Sequence, residues 1–107
     1  MTDQELADRI VALGVGRANQ IYPDALGRFY QIDPDADWQT SVNETKFVRD
    51  WRVAGAMMEK CDSVYPDKLT DGRWQAMASI NAMPSKWIMD ESLPRAINEA
   101  CCEALGE

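Results

Sequence analysis

Between Ser41 and Cys61 the chain reads SVNETKFVRDWRVAGAMMEKC, and apolar positions recur there every three or four residues. Phe47, Val48, Trp51, Ala54, Gly55, Met58 and Cys61 fall along one stripe of a helix, with Lys46, Arg49, Arg52, Glu59 and Lys60 mostly opposite. The pattern predicts one long central helix over 41–61, opened by a capping box of Ser41 and Glu44. Val53, Ala56 and Met57 widen its apolar face, which implies burial on more than one side, with Trp51 as a core anchor. Gly55 costs a helix interior about 1 kcal/mol relative to alanine, so its presence predicts close approach by another backbone.

Either side of that helix the period changes twice. Thr2 and Glu5 give a second capping-box signature ahead of Leu6, Ala7, Ile10, Val11 and Leu13. Gly14 ends this first helix, and Val15 is placed to make the apolar contact of a Schellman turn before Gly16. Ile21 and Tyr22 then run into the turn signal Pro23-Asp24, and residues 27–32 (GRFYQI) are aromatic and β-prone, so a hairpin is expected. Residues 33–40 (DPDADWQT) make a polar connection. Beyond the central helix, residues 62–72 (DSVYPDKLTDG) carry Pro66 and Asp71-Gly72 and read as a loop. Residues 73–80 (RWQAMASI) alternate, a turn with Pro84 follows, and residues 86–90 (KWIMD) supply the partner strand of a second hairpin. Ser92 caps a last helix with Pro94 in its first turn, along the stripe Leu93, Ala96, Ile97, Ala100, Cys101, Ala104 and Leu105. The order α-β-β-α-β-β-α predicts an α+β fold over residues 1–107 as a single domain, a small antiparallel sheet packed with helices.

Composition narrows the chemistry. A chain of 107 residues, 46% hydrophobic and 27% charged, has the make-up of one folded domain with a modest core. Its formal charge of −7 disfavours nucleic acid and anionic membranes and favours a cationic partner. The chain has no histidine, which removes the commonest general base and the commonest metal ligand together. Cys61, Cys101 and Cys102 are odd in number with two adjacent, so they are neither a disulfide framework nor a zinc set. No apolar run approaches the ~18 residues of a membrane span, and the first residues are too acidic for a signal peptide. The expectation is a soluble cytoplasmic chain without a cofactor.

Three groups of residues invite a sharper reading. Asp33, Asp35, Asp37 and Glu44 stand at positions one, three, five and twelve of a calcium loop, with Ser41 at nine. Trp38 occupies position six, where that loop turns on glycine, and a strand rather than a helix precedes it; a polar loop leading into a capped helix explains the same residues. A small-ligand or calcium-binding module using the stretch from Asp33 to Glu44 is therefore the alternative reading. Cys101 lies on the apolar stripe and is expected in the core, with Cys102 off the stripe and partly exposed; neither has a base or cation to activate it. Trp51, Trp74 and Trp87 suit an aromatic core better than a base-stacking platform, since no basic patch accompanies them. Trp38 differs: an aromatic ring among Asp33, Asp35 and Asp37 is a contact point for a basic protein surface.

Three stretches, ELADRIVALGVG (5–16), FVRDWRVAGAMMEKC (47–61) and ESLPRAINEACCEAL (91–105), together resemble the phage ABA sandwich domain family of small tailed-phage and prophage proteins from Pseudomonas-like bacteria. The resemblance implies an α/β sandwich and brings no catalytic residues. It also implies a phage accessory protein acting in the bacterial cytoplasm. With no catalytic constellation in the sequence, the expected function is non-enzymatic. Such a chain binds a host or phage protein, as an inhibitor of a host defence or regulator would.

Overall fold

The computed structural model of the chain describes residues 1–19, 29–33, 35 and 41–106. The first helix, α1 (Asp3–Ala12), begins as the sequence dictates: Thr2 Oγ1 accepts from the Glu5 backbone N–H at 3.1 Å while the Glu5 carboxylate accepts from Thr2 N–H at 3.4 Å. It also ends so. Val15 N–H reaches the Ile10 carbonyl at 3.2 Å and Gly14 N–H the Val11 carbonyl at 2.9 Å, the paired bonds of a Schellman turn, with Gly14 at φ +93°. Gly16 is required for a different reason. A Cβ there would stand 2.5 Å from the Gln31 carbonyl oxygen and 3.0 Å from the Phe47 ring.

Strands β1 (Arg17–Asn19) and β2 (Phe29–Gln31) pair antiparallel with Ala18 opposite Tyr30. β2 lies inside the expected second strand; the first lies earlier than expected, and Ile21, Tyr22 and the Pro23-Asp24 turn fall outside the described residues. Tyr30 is fully buried, exchanges backbone bonds with Val42 at 2.8 Å, and stacks on Phe47 with ring centroids 5.1 Å apart. Its hydroxyl donates to Asp8 at 2.7 Å, so β2 is tied to both α1 and the next helix.

The expected central helix is two helices, α2 (Glu44–Phe47) and α3 (Trp51–Glu59). Asn43, not Ser41, caps the first, accepting from Lys46 N–H at 3.0 Å. Asp50 interrupts the run because its carboxylate accepts from the Arg52 backbone N–H at 2.8 Å, capping a new helix rather than continuing the old one. The break resets the helical phase. Val53, Ala54 and Met57 are the buried residues of α3, and Trp51, at its first position, is 57% exposed instead of core. Nothing lies within 4 Å of a Cβ added at Gly55, so no backbone approaches it closely.

The remaining chain forms a four-stranded sheet and a long helix: β3 (Ser63–Lys68), β4 (Trp74–Ile80), β5 (Met83–Pro84), β6 (Ile88–Asp90) and α4 (Leu93–Leu105). The two hairpins therefore belong to two sheets, not one. β3 replaces part of an expected loop; it lies at the sheet edge, where Pro66 removes no ladder bond that the fold needs. β5 and β6 both pair with β4. Ser79 faces Pro84 and Ala76 faces Ile88, three steps on β4 against four on the return, so a bulge separates them. Ser85 fills it, donating its N–H to the Ala78 carbonyl at 2.7 Å and accepting from Ala78 N–H at 3.1 Å on its hydroxyl.

α4 starts at the Ser92 cap with Pro94 in its first turn and lies on one face of this sheet, with α1 and α3 against its other sides. Ala76 and Ala78 of β4, Ala96, Ile97, Ala100 and Cys101 of α4, Val53, Ala54 and Met57 of α3, and Leu6, Ala7 and Ile10 of α1 are the core. Cys102 is fully buried too, because α1 covers the side of α4 that the sheet leaves free. The whole is α+β, four helices with two small antiparallel sheets among the described residues. No helix among the described residues is long and apolar enough to cross a membrane.

Candidate functional site

Directly opposed residues of an antiparallel ladder share a face, and neighbours along a strand alternate between faces. Ala76 and Ala78 are buried under α4, and their ladder partners Val64, Pro66 and Ile88 take the same side. The other side then carries Ser63, Tyr65 and Asp67 on β3, Gln75, Met77 and Ser79 on β4, and Met89 on β6. No helix of the described residues covers it. Tyr65 is 52% exposed and Met89 56%, Tyr65 lies directly across from Met77, and Trp87, two residues before Met89, is 47% exposed. Large apolar side chains are thus left half in water on and beside one sheet face of the described residues.

The rim of this face is charged. Asp67 accepts from the Gln75 side-chain amide across the strands at 2.9 Å. Asp71 holds Arg73 at 2.7 Å, and Glu91 follows Asp90 at the end of β6. Arg49, Arg73, Met89, Asp90, Glu91 and Ser92 surround an open hollow of about 500 Å³ at this end of the sheet.

Behind the hollow the charges are locked together. Arg95, 8% exposed, donates Nε to Asp3 at 2.7 Å, Nη1 to Asp90 at 2.8 Å and to Glu99 at 3.3 Å, and Nη2 to the Met1 carbonyl at 2.7 Å. Asp3 takes a further bond from Arg49 at 2.9 Å. Burial pushes the Asp3 carboxyl up, but the hydrogen bonds from Arg95 and Arg49 outweigh it and hold the group below its ordinary value. These bonds fasten the N-terminus and β6 to α4.

Of the residues singled out by the sequence, Asp33 and Asp35 are exposed, and Asp33 Oδ1 accepts from Asp35 N–H at 3.0 Å in a local turn. Glu44 is partly buried in the first turn of α2. Asp37 and Trp38 lie outside the described residues. Among the described residues no group of three or more metal-ligand side chains converges. Trp74 is partly buried with the Lys68 ammonium 5.4 Å from its ring centre, whereas Trp51 and Trp87 stand in solvent, so the expected aromatic core is built from Tyr30 and Phe47 instead.

Tyr65, Met77 and Met89 were not legible as a surface. Their strand alternation was visible only for β4 and β6, and which face a helix covers depends on tertiary packing. No family model, curated protein or solved structure matches the chain.

Proposed function

We propose that this chain is a non-enzymatic protein-binding module that presents the open face of its four-stranded sheet. The observation that carries the reading is the grouping of Tyr65, Met77, Trp87 and Met89 on or beside that uncovered face. Tyrosine, tryptophan and methionine are the side chains that bind well in protein interfaces, since each buries much area for little lost freedom.

The occupant is a protein with an apolar centre and a basic rim. Two copies of this chain, each at −7, repel one another, whereas Asp67 and Glu91 beside the face attract a cationic surface. Exposed Asp33 and Asp35 add steering charge from an acidic stretch of sequence to which Asp37 and Trp38 also belong. The resemblance to phage ABA sandwich proteins supplies a setting, a host or phage protein in the bacterial cytoplasm whose activity is blocked by the contact.

The test is capture from bacterial extract in parallel with wild type, with a face variant (Tyr65→Ser, Trp87→Ser, Met89→Ser) and with a control variant (Trp51→Ser). A partner retained by wild type and control but lost by the face variant supports the reading. The same partner on all three removes the open face as the site.

A further inference from the structure

The four-stranded sheet has unequal edges, and the hydrogen-bond phase of β4 decides which backbone groups each edge presents. In an antiparallel pair alternate residues exchange bonds with the partner strand, and those between turn theirs away. Leu69 N–H donates to the Arg73 carbonyl at 2.8 Å, one step beyond the β3–β4 ladder. Ser63, Tyr65 and Asp67 are in phase with that pair and bond to β4, so Val64, Pro66 and Lys68 turn outward. On the other side of β4, Ser85 N–H donates to the Ala78 carbonyl at 2.7 Å. Trp74, Ala76 and Ile80 share the phase of Ala78 and bond to Asp90, Ile88 and Met83, which leaves Pro84 and Met89 turned outward.

Proline has no N–H. Pro66 therefore interrupts the β3 edge, and Pro84 does the same on β5. Met89 keeps both a donor and an acceptor on the β6 edge. No strand among the described residues pairs with β6 on that side, and no described residue exchanges a backbone bond with Met89 there. The side chains beside this edge are apolar and acidic. Met89 and Trp87 are exposed, and so is Glu91, two residues beyond Met89. Arg73 is held by Asp71 at 2.7 Å and Arg49 by Asp3 at 2.9 Å, whereas Glu91 forms no ion pair with a described residue.

We propose that β6 is a strand-addition edge, on which an extended segment of the protein partner, alternating apolar and basic side chains, continues the sheet. Strand addition here rests on the open-face reading and names the form the partner takes. One residue of the segment exchanges both backbone bonds with Met89. Its side chain packs on Met89 and Trp87 at the open face, and a lysine or arginine two residues along faces Glu91. A second copy of this chain is a poor occupant, since it would bring another Glu91 and a charge of −7 to the same edge.

The probe is a twelve-residue peptide selected from a displayed random library on the folded full chain and then synthesised. The expected peptide alternates apolar residues with lysine or arginine. At saturation it slows hydrogen exchange of the Met89 amide about tenfold or more. N-methylation of one peptide residue weakens binding about tenfold or more, while N-methylation of either neighbour does not, because only alternate amides point at β6. Met89→Pro removes the outward N–H without touching a β4 bond and is expected to abolish binding, with Met89→Leu retaining it. Should Met89→Pro fail to fold, the exchange and N-methylation results decide alone. A peptide weakened by Tyr65→Ser that leaves Met89 exchange unchanged, and that shows no alternation on N-methylation, would overturn the edge and leave the open face standing. Selection of no peptide would also overturn it, and the face would then take a folded surface. A wild-type dimer that Met89→Pro converts to a monomer would put a second copy on the edge, again against the proposal.

Discussion

The side-chain amide of Asn98, fully buried on α4, donates to the backbone carbonyl of Val48 at 2.9 Å. Val48 is where α2 ends, and a carbonyl at a helix end has lost its own helical partner. A residue far along the chain therefore makes the helix break affordable. Asn98→Ala is expected to cost about 1–3 kcal/mol, because the Val48 carbonyl is left buried and unpaired. Asn98→Asp should cost more, since a buried carboxylate would face an oxygen acceptor. Denaturant unfolding of both variants checks the order. Equal stability of Asn98→Ala and wild type would mean that Val48 finds another donor.

That same break explains the exposure of Trp51. Trp51→Ala is expected to change stability by no more than about 0.5 kcal/mol, as an exposed site does, while Phe47→Ala costs about 3–5 kcal/mol. Gly55→Ala should stabilise by up to about 1 kcal/mol, because α3 gains helix propensity and the added methyl meets no atom within 4 Å. Chemical denaturation of the three variants in parallel gives the ranking.

Much of the fold was legible where signals are local. The Thr2–Glu5 box, the Gly14 ending, the alternation of β4 and the Ser92–Pro94 start of α4 each depend on a few neighbouring residues, and each formed as read. The errors arose where distant residues decide. Asp50 could continue a helix or cap a new one, and Asn98 of α4 supports the second choice by satisfying Val48. Pro66 reads as a breaker until its strand proves to be an edge. Cys102 lies off the stripe of α4, yet α1 covers that side. The candidate binding face was hidden for the same reason, since sequence alternation gives two faces and only packing says which is bare.

Asp3 gives the acid behaviour. Its folded carboxyl lies below the ordinary 3.8, so its contribution is fully present above that value and is lost as pH falls through the folded one. Asp3→Asn is expected to lower stability at neutral pH by about 1–2 kcal/mol and to flatten the loss of stability below pH 3.8. Arg95→Met should cost about 3–5 kcal/mol at neutral pH, because Asp90, Glu99 and Asp3 lose the cation between them. Unfolding curves across pH 2–7 test both.

The buried thiols of Cys101 and Cys102 together give the alkaline behaviour, and Cys102 is the one that can be followed on its own. Burial raises its thiol from 9.0 to about 11, so the contribution is fully present below pH 9.0 and is lost as pH rises toward about 11. Cys102→Ala, though less stable at pH 7, should lose less stability than wild type over that interval. A steeper loss in the variant would show that this thiol does not carry the dependence.

The open sheet face can be tested by measuring two quantities on the same variants. For Tyr65→Ser, Trp87→Ser and Met89→Ser, each made alone, the measurement is the dissociation constant for the captured partner beside the free energy of unfolding. The expected result is weakening of about tenfold or more for at least one variant, further weakening with added salt, and unfolding within about 1 kcal/mol of wild type. Wild-type affinity in all three variants would contradict the account.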